Sequence, residues 1–414
     1  MPSPTPSAHP DEPIPKRQAI EFVLRLGRAL HEAGTPANRL EDALSAVSTQ
    51  LGVTASFFST PTSLLAAFGD EGISQRTCLL RVQPSELNLE RLVRIDEIAT
   101  AVGRAEMSAE DGASALGRIA LARPRYGPLT TIGAGAVASA GASVFLGGNL
   151  PDLGAAGVVG LVVGAIAYHG YQRRELSRVV EIAGGAIAAV LALIAERTIP
   201  GAQSAVITVS GVILLLPGLA LTLAMSELAT RHLASGSARL VYALMILILI
   251  ALGVAIGRQV APLLPPLERI PASPMPGWAG LLALVLVPLA FTIIFKARPR
   301  DYIPIAVAGV IGITGAAIGA RTIGPDLAAG MGAFLVGAFG NVYARVYRRP
   351  SSVPKLPGIV LLVPGSLGFR SLQSFLERDT VAAIDTAFSM IVVAVSLAAG
   401  LVVSNVMVPS RKTL

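Results

Sequence analysis

The sequence predicts a polytopic α-helical membrane protein, with about ten transmembrane helices in two five-helix halves behind a small N-terminal α/β domain. Three observations carry this reading. The 414 residues are 53% hydrophobic and only 14% charged, with a mean hydropathy of +0.65; soluble domains carry roughly 25% charged residues. From residue 129 onward the apolar residues collect in runs near the ~20 residues that a ~30 Å hydrocarbon core requires. The basic residues between those runs alternate from rich to poor connections.

Each element follows in order. Residues 1–15, "MPSPTPSAHPDEPIP", are polar and proline-rich, which predicts a disordered N-terminus. They lack the charged-then-apolar order of a signal peptide. Residues 16–128 read as a soluble α/β domain. Ile20, Val23, Leu24, Gly27 and Leu30 recur at helical spacing. "GTP" (Gly34 to Pro36) ends that helix and opens another, with Thr35 as the expected N-cap. Leu40, Ala43, Leu44, Val47 and Leu51 form its stripe. "TASFFST" and "TCLLRV" are strand candidates around a glycine-containing turn at Gly69–Gly72. Leu89, Leu92, Ile95, Ile98 and Val102 return to helical spacing, and Ser108 with Asp111 opens a last helix as a capping box.

Ten spans are expected at about 129–147, 152–169, 179–195, 206–226, 239–257, 278–295, 302–320, 326–344, 356–373 and 381–405. The halves are then 129–257 and 278–407. Between them, residues 258–277 hold Pro262, Pro265, Pro266, Pro271, Pro274 and Pro276, a stiff extracytoplasmic linker. Glycines such as Gly160, Gly164, Gly315 and Gly319 are expected to let helices approach closely. Seventeen Lys/Arg flank one side: Arg118, Arg123, Arg125, Arg173, Arg174, Arg178, Arg231, Arg239, Lys296, Arg298, Arg300, Arg345, Arg348, Arg349, Lys355, Arg411 and Lys412. The other side has five: Arg197, Arg258, Arg269, Arg321 and Arg378. The positive-inside rule places both termini in the cytoplasm of a cell whose inner membrane the chain crosses many times. The net +7 belongs to this membrane part, so the charge argues for orientation and against nucleic-acid binding. One cysteine, Cys78, and four scattered histidines predict no disulfide, no metal site and no cofactor.

Two stretches interrupt good spans, "LLLPG" (Leu214 to Gly218) and "LLVPG" (Leu361 to Gly365). Proline removes a backbone donor and clashes with the preceding turn, and glycine adds backbone entropy. Both pairs fall near the expected midplane, each in the fourth span of its half. Because five is odd, the second half runs inverted, so spans four and nine would be antiparallel with breaks at similar depth. That pattern points to an inverted-repeat transporter with its binding site at broken helices. Freed N–H groups after each break could hold a carboxylate. Thr222, Ser226 and Ser366 add hydroxyls whose default role is to satisfy the freed backbone; with Pro217, Gly218, Pro364 and Gly365, Thr222 and Ser366 are the substrate-binding candidates, placed to meet a substrate hydroxyl. Arg370, Asp385, Glu181 and Glu227 are ionisable residues in or near the spans, each a functional candidate by cost. Arg370 is the candidate partner of a substrate carboxylate. Asp385 and Glu227 are the proton-coupling candidates.

"LHEAGTPANRLEDAL", "PGLALTLAMSELATRHLASGSARLVYAL" and "LLVPGSLGFRSLQSF" resemble, in this order, the threonine/serine exporter family. The resemblance runs over most of residues 18–405. It implies a cytoplasmic N-terminal domain, ten spans and proton-driven antiport of small hydroxy amino acids. The family pattern is matched at Pro217, Gly218, Glu227, Ser235, Gly236, Arg239, Pro364, Gly365 and Ser366; of these Ser235, Gly236 and Arg239 are gating or structural candidates. The implied partners are the bilayer, a small amino acid and protons, with a homo-oligomer allowed. Relatives split into two polypeptides resemble dicarboxylate exporters, so succinate-like export is an alternative, and a membrane-anchored sensor or scaffold is another. No G-x-S-x-G elbow and no nucleophile–base pair is found, which predicts that the chain is not an enzyme.

Overall fold

The computed structural model describes residues 14–69, 75–82, 87–173, 175–265, 274–362, 365–376 and 378–409. The expected disordered N-terminus up to residue 13, most of the Gly69–Gly72 turn, linker residues 266–273, Arg174, Pro364, Arg411 and Lys412 lie outside the described residues.

The N-terminal domain is α1 (Ile14–Glu32), α2 (Ala37–Gln50), β1 (Ala55–Thr60), β2 (Ser63–Phe68), β3 (Arg76–Arg81), α3 (Leu89–Gly103) and α4 (Ala109–Leu121). The expected helical stripes are the core: Ile20, Val23, Leu24, Leu30, Leu40, Leu44, Leu92 and Ile95 are all buried. The sheet is an antiparallel meander in the order β1-β2-β3. Alternate residues Leu64, Ala66 and Phe68 of β2 and Cys78 and Leu80 of β3 join that core, as a half-buried sheet requires. Strand β2 corrects the sequence reading. "SLLAAF" has no β-branched residue and no alternation of polarity, so its own propensity is poor; pairing on both edges decides its state. A two-residue turn at Pro61–Thr62 sets the register, with Thr60 facing Ser63 and the Ser63 N–H donating to Thr60 Oγ1 at 3.1 Å. Ser108 caps α4 as expected, its Oγ accepting from Asp111 N at 3.0 Å. Thr35 does not cap α2: the N-cap is Pro36, and the Thr35 hydroxyl is buried without a partner among the described residues.

Twelve α-helices follow among the described residues. They are α5 (Pro128–Phe145), α6 (Leu150–Gly170), α7 (Val180–Thr198), α8 (Ser204–Gly211), α9 (Gly218–Ala229), α10 (Leu233–Arg258), α11 (Gly277–Ile294), α12 (Tyr302–Thr322), α13 (Ala328–Tyr347), α14 (Ser352–Val360), α15 (Gly365–Leu376) and α16 (Thr380–Met407). Seven segments among the described residues, rather than ten, are long and apolar enough to cross a membrane: 128–145, 150–170, 233–263, 277–294, 299–322, 352–374 and 380–407. The other three expected spans fall on α7, on the pair α8–α9 and on α13. Each has a physical reason to be shorter or less apolar. Helix α7 carries Glu181, Glu196 and Arg197, the pair is cut into pieces of eight and twelve residues, and α13 holds Asn341 and Arg345 near its end. Large apolar side chains remain exposed at helical spacing, such as Val241, Met245, Ile248, Leu252 and Ile256 on α10 and Ile384, Phe388, Ile391 and Val395 on α16. Such stripes suit a lipid-facing surface.

The packing of the first half recurs in the second. Helix α5 packs on α6 and α11 on α12; α6 packs on α7 and α8, and α12 on α13 and α14; α7 packs on α10 and α13 on α16; α9 packs on α10 and α15 on α16. Between the halves, α5 meets α11, α9 meets α16 and α15 meets α10. Close backbone approach makes these seams. A Cβ at Gly160 of α6 would overlap Ser139 of α5, and one at Gly315 or Gly319 of α12 would lie 3.0 Å from a Cα of α13. Gly164 meets only ordinary contacts.

Candidate functional site

The fourth expected span is broken. Helix α8 ends at Gly211, residues 212–216 form a turn closed by Leu216 N–H to Val212 O at 3.2 Å, and α9 begins at Gly218 behind Pro217. Proline offers no side-chain oxygen, so the first N–H groups of α9 have no side-chain cap. The Thr222 hydroxyl, fully buried, donates to Gly218 O at 3.2 Å; it serves the freed backbone. Helix α14 ends at Val360 and α15 begins at Gly365. Pro364 lies outside the described residues, but Gly365 does not. A Cβ there would lie 3.2 Å from Gly218 Cα, 3.4 Å from Gly218 N and 3.5 Å from Leu216 Cβ. The two glycines therefore stand back to back, bringing together breaks 147 residues apart in sequence. Phe369 of α15 is fully buried within the core of the first half, which fixes this crossing.

The other sequence candidates are placed less centrally. Ser366 is half-buried, while Arg370 on α15 and Asp385 on α16 are exposed. Glu181 is buried beside the α6 end and accepts from Tyr171 Oη at 3.1 Å. Two serines that the sequence reading missed, Ser210 one turn before the first break and Ser139 on neighbouring α5, are fully buried with unpartnered hydroxyls among the described residues. Serine is common in apolar helices, so nothing in the sequence marks these two.

Glu227, the one charged residue of α9, has no exposed surface. Its Oε1 accepts from Arg239 Nη2 at 3.1 Å and from the backbone N–H of Ala37 at 3.0 Å. Its Oε2 accepts from Arg239 Nε at 3.1 Å and Ser235 Oγ at 3.0 Å. The bidentate fork neutralises the carboxylate, and the bond from Ala37 N caps α2 from a residue 190 positions away. That carboxylate does the work expected of Thr35. At the α9–α10 corner, a Cβ on Gly236 would lie 3.0 Å from Ala224 O and 2.8 Å from Leu228. Next to the corner, His232 Nε2 lies 3.4 Å from Glu41 of α2. Burial raises the Glu41 carboxyl above its ordinary value, and the Ser59 N–H and His232 pull it back.

The N-terminal domain also grips the second half. The N–H groups of Leu89 and Glu90, at the start of α3, donate to Phe295 O and Lys296 O at 3.0 and 3.2 Å. Tyr126 Oη donates to Ala297 O at 2.7 Å, and Arg298 pairs with Glu97 at 3.4 Å. Leu223, Ala297, Ile305 and Leu356 complete the domain's own hydrophobic core. Arg125, just before α5, makes a bidentate pair with Glu90 at 2.7 and 2.6 Å, which holds that carboxyl below its ordinary value. The domain thus spans both halves. Lys355, counted with the loop charges in the sequence, is buried inside α14.

Family comparison agrees with this architecture. Residues 21–261 match the family described as "Putative threonine/serine exporter", and residues 280–407 match "Threonine/Serine exporter, ThrE". Similar proteins include "Pheromone-regulated membrane protein 10" of Eremothecium gossypii, 27% identical over 367 residues that cover 86% of this chain and 49% of that protein. The protein of the same name from Candida albicans is 27% identical over 369 residues, 86% of this chain and 33% of its own length. An uncharacterized protein of Schizosaccharomyces pombe is 26% identical over 365 residues, 83% of this chain and 43% of its own. The chain spans less than half the length of these curated relatives. No solved structure matches. With the first match alone covering more than half of the residues, from the N-terminal domain through α10, the chain belongs to the threonine/serine exporter family.

Proposed function

We propose that the chain is a proton-driven secondary exporter of small hydroxy amino acids, threonine or serine, working from the cytoplasmic face of a cell membrane. Its ten spans form two inverted five-span repeats, with the broken fourth and ninth spans as the substrate site. One observation carries the reading: Gly218 and Gly365, each opening a half-helix after a Pro–Gly step, are in backbone contact. The recurrence of every major packing pair from one half to the other supports the repeat. The contacts of α9 with α16 and of α15 with α10 fit a two-fold relation between the halves. Uncapped N–H groups at the start of α9 suit a carboxylate. In this conformation the breaks close on each other and the N-terminal domain bridges both halves beside them. Alternating access then requires the halves to part at the glycines.

Efflux from preloaded vesicles tests the substrate. Threonine or serine should leave down an inward proton gradient; succinate efflux without threonine efflux would transfer the same site to a dicarboxylate. Glu227 is already held by Arg239, so the coupling proton falls to Asp385, exposed in the second turn of α16. Asp385→Asn should abolish the pH dependence of efflux while leaving exchange of labelled for unlabelled threonine intact. A pH profile identical to wild type would remove Asp385 from the mechanism.

A further inference from the structure

Helices α3 and α4 repeat one spacing. Arg94, Glu97 and Ile98 on α3, and Ala115, Arg118 and Ile119 on α4, stand at i, i+3 and i+4, which is one face of a helix. Together these six line a groove of about 490 Å³ between the two helices, with Met107 and with Arg298 of the α11–α12 connection. That volume suits an organic ligand rather than a bare ion. The charges around it are unbalanced. Arg94 donates to Glu90 at 2.7 Å, but Arg125 already forks onto the same carboxylate. Arg298 faces Glu97 at 3.4 Å. Arg118 is exposed, with no ion pair among the described residues. Four arginines (94, 118, 125 and 298) against two glutamates (90 and 97) leave two positive charges in surplus.

The groove also lies at a membrane surface. Arg298 follows the end of the α11 span by four residues, and Tyr126, bonded to Ala297 O, precedes the α5 span by two. Four residues reach at most about 14 Å, which keeps Arg298 in or close above the headgroup layer. Leu121, the last residue of α4, is 87% exposed, and Leu129, in the first turn of α5, is 86% exposed; both suit contact with lipid. We propose that this groove binds the headgroup of an anionic phospholipid, its phosphodiester held between Arg118 of α4 and Arg298 of the α11–α12 connection. Arginine forks match phosphate oxygens, and Ile98, Met107 and Ile119 offer apolar surface to the glycerol part. The site goes beyond the exporter reading, because it stands whichever solute is carried. A bound lipid would brace the N-terminal domain against the second half.

The test titrates the purified full-length protein in uncharged detergent, at constant ionic strength, with short-chain phosphatidylglycerol, short-chain phosphatidylcholine or glycerol phosphate. The unfolding midpoint gives an apparent affinity, and hydrogen exchange over residues 94–98 and 115–119 reports the place. Phosphatidylglycerol should raise the midpoint saturably and slow exchange in both segments, and phosphatidylcholine should do neither. Arg118→Gln and Arg298→Gln should each weaken the apparent affinity about fivefold, the worth of one arginine at an anionic surface. Arg81→Gln, an exposed change on β3, should leave it unaltered. Glu97→Gln should tighten binding, since it frees Arg298, whereas a purely structural pair would show no gain. If Arg298→Gln does not fold, the exposed Arg118→Gln carries the comparison. Equal responses to the two lipids, an undiminished response in Arg118→Gln, or no slowing of exchange at the two segments would overturn the site. Glycerol phosphate acting as strongly as the lipid would overturn the lipid assignment in favour of a soluble phosphate ester.

Discussion

Glu227→Ala should loosen the N-terminal domain from the first half and destabilise the protein by about 3–5 kcal/mol, the range for removing one partner of a buried ion pair. The size follows from what is left behind. Arg239 would keep its charge beside an apolar corner, Ser235 would lose its acceptor, and α2 would lose the group that caps Ala37 N. Because the Arg239 side chain is 22% exposed, it can turn partly to water, which places the effect toward the lower end. Adding Arg239→Ala should therefore recover part of the loss, while Ser235→Ala alone should cost about 1 kcal/mol. Thermal unfolding measures the sum, and hydrogen exchange at Ala37 reports the local event. Exchange at Ala37 as slow as in wild type would show that the carboxylate does not hold α2. Glu227→Gln separates docking from proton carriage. A neutral isostere weakens the clamp without emptying it, so a lost pH profile with an intact domain junction would return the coupling role to Glu227.

The contrast between the helix breaks and this clamp shows what a sequence can disclose. Pro217 and Gly218 act through their own backbone, so two letters in an apolar run suffice to place an end and a start of helix. The stripes of α1 to α3 are equally local, since a period of 3.6 residues needs no partner to be seen. Glu227 is different. Read alone, it is a carboxylate near lipid, and the proton role follows from cost. Its partners lie 8 and 12 residues ahead, around a helix corner, and 190 residues behind, and no periodicity connects them. The same holds for Thr35, whose capping duty is taken by a distant side chain, and for β2, whose strand state is set by its two neighbours. Lys355 shows the reverse error. A lysine beside Pro354 and Pro357 at the end of a span resembles a loop charge, and only the packing of α12 and α13 against α14, with Asn405 of α16 accepting from its ammonium, buries it. Arg370 and Asp385 stand out in the sequence for their charge inside expected spans, and their exposure is set by neighbours that the sequence does not name.

Gly365→Leu should lower transport by about a hundredfold with the protein still folded. At this position a Cβ alone would stand 3.2 Å from Gly218 Cα and 3.4 Å from its nitrogen. Those are backbone atoms that cannot swing aside as a side-chain end does. A leucine must then push the two Pro–Gly steps apart or bend one of them, and a shift of about 1 Å at a reacting or binding centre is enough for a 10²-fold loss. The cost in stability is the ordinary one for overpacking, about 1–3 kcal/mol, so the amount of protein in the membrane should change little. Gly280→Leu is the matched control. It makes the same substitution in α11 at a place where a Cβ meets nothing within 4 Å, and it should transport normally. Gly365→Ala, which adds only the Cβ, should fall between the two, because a few tenths of an ångström of backbone movement can absorb it. Efflux from vesicles, normalised to folded protein, ranks the three. If Gly365→Leu moves solute within twofold of Gly280→Leu, the glycine contact lies off the transport path, and the site must be sought elsewhere in the bundle.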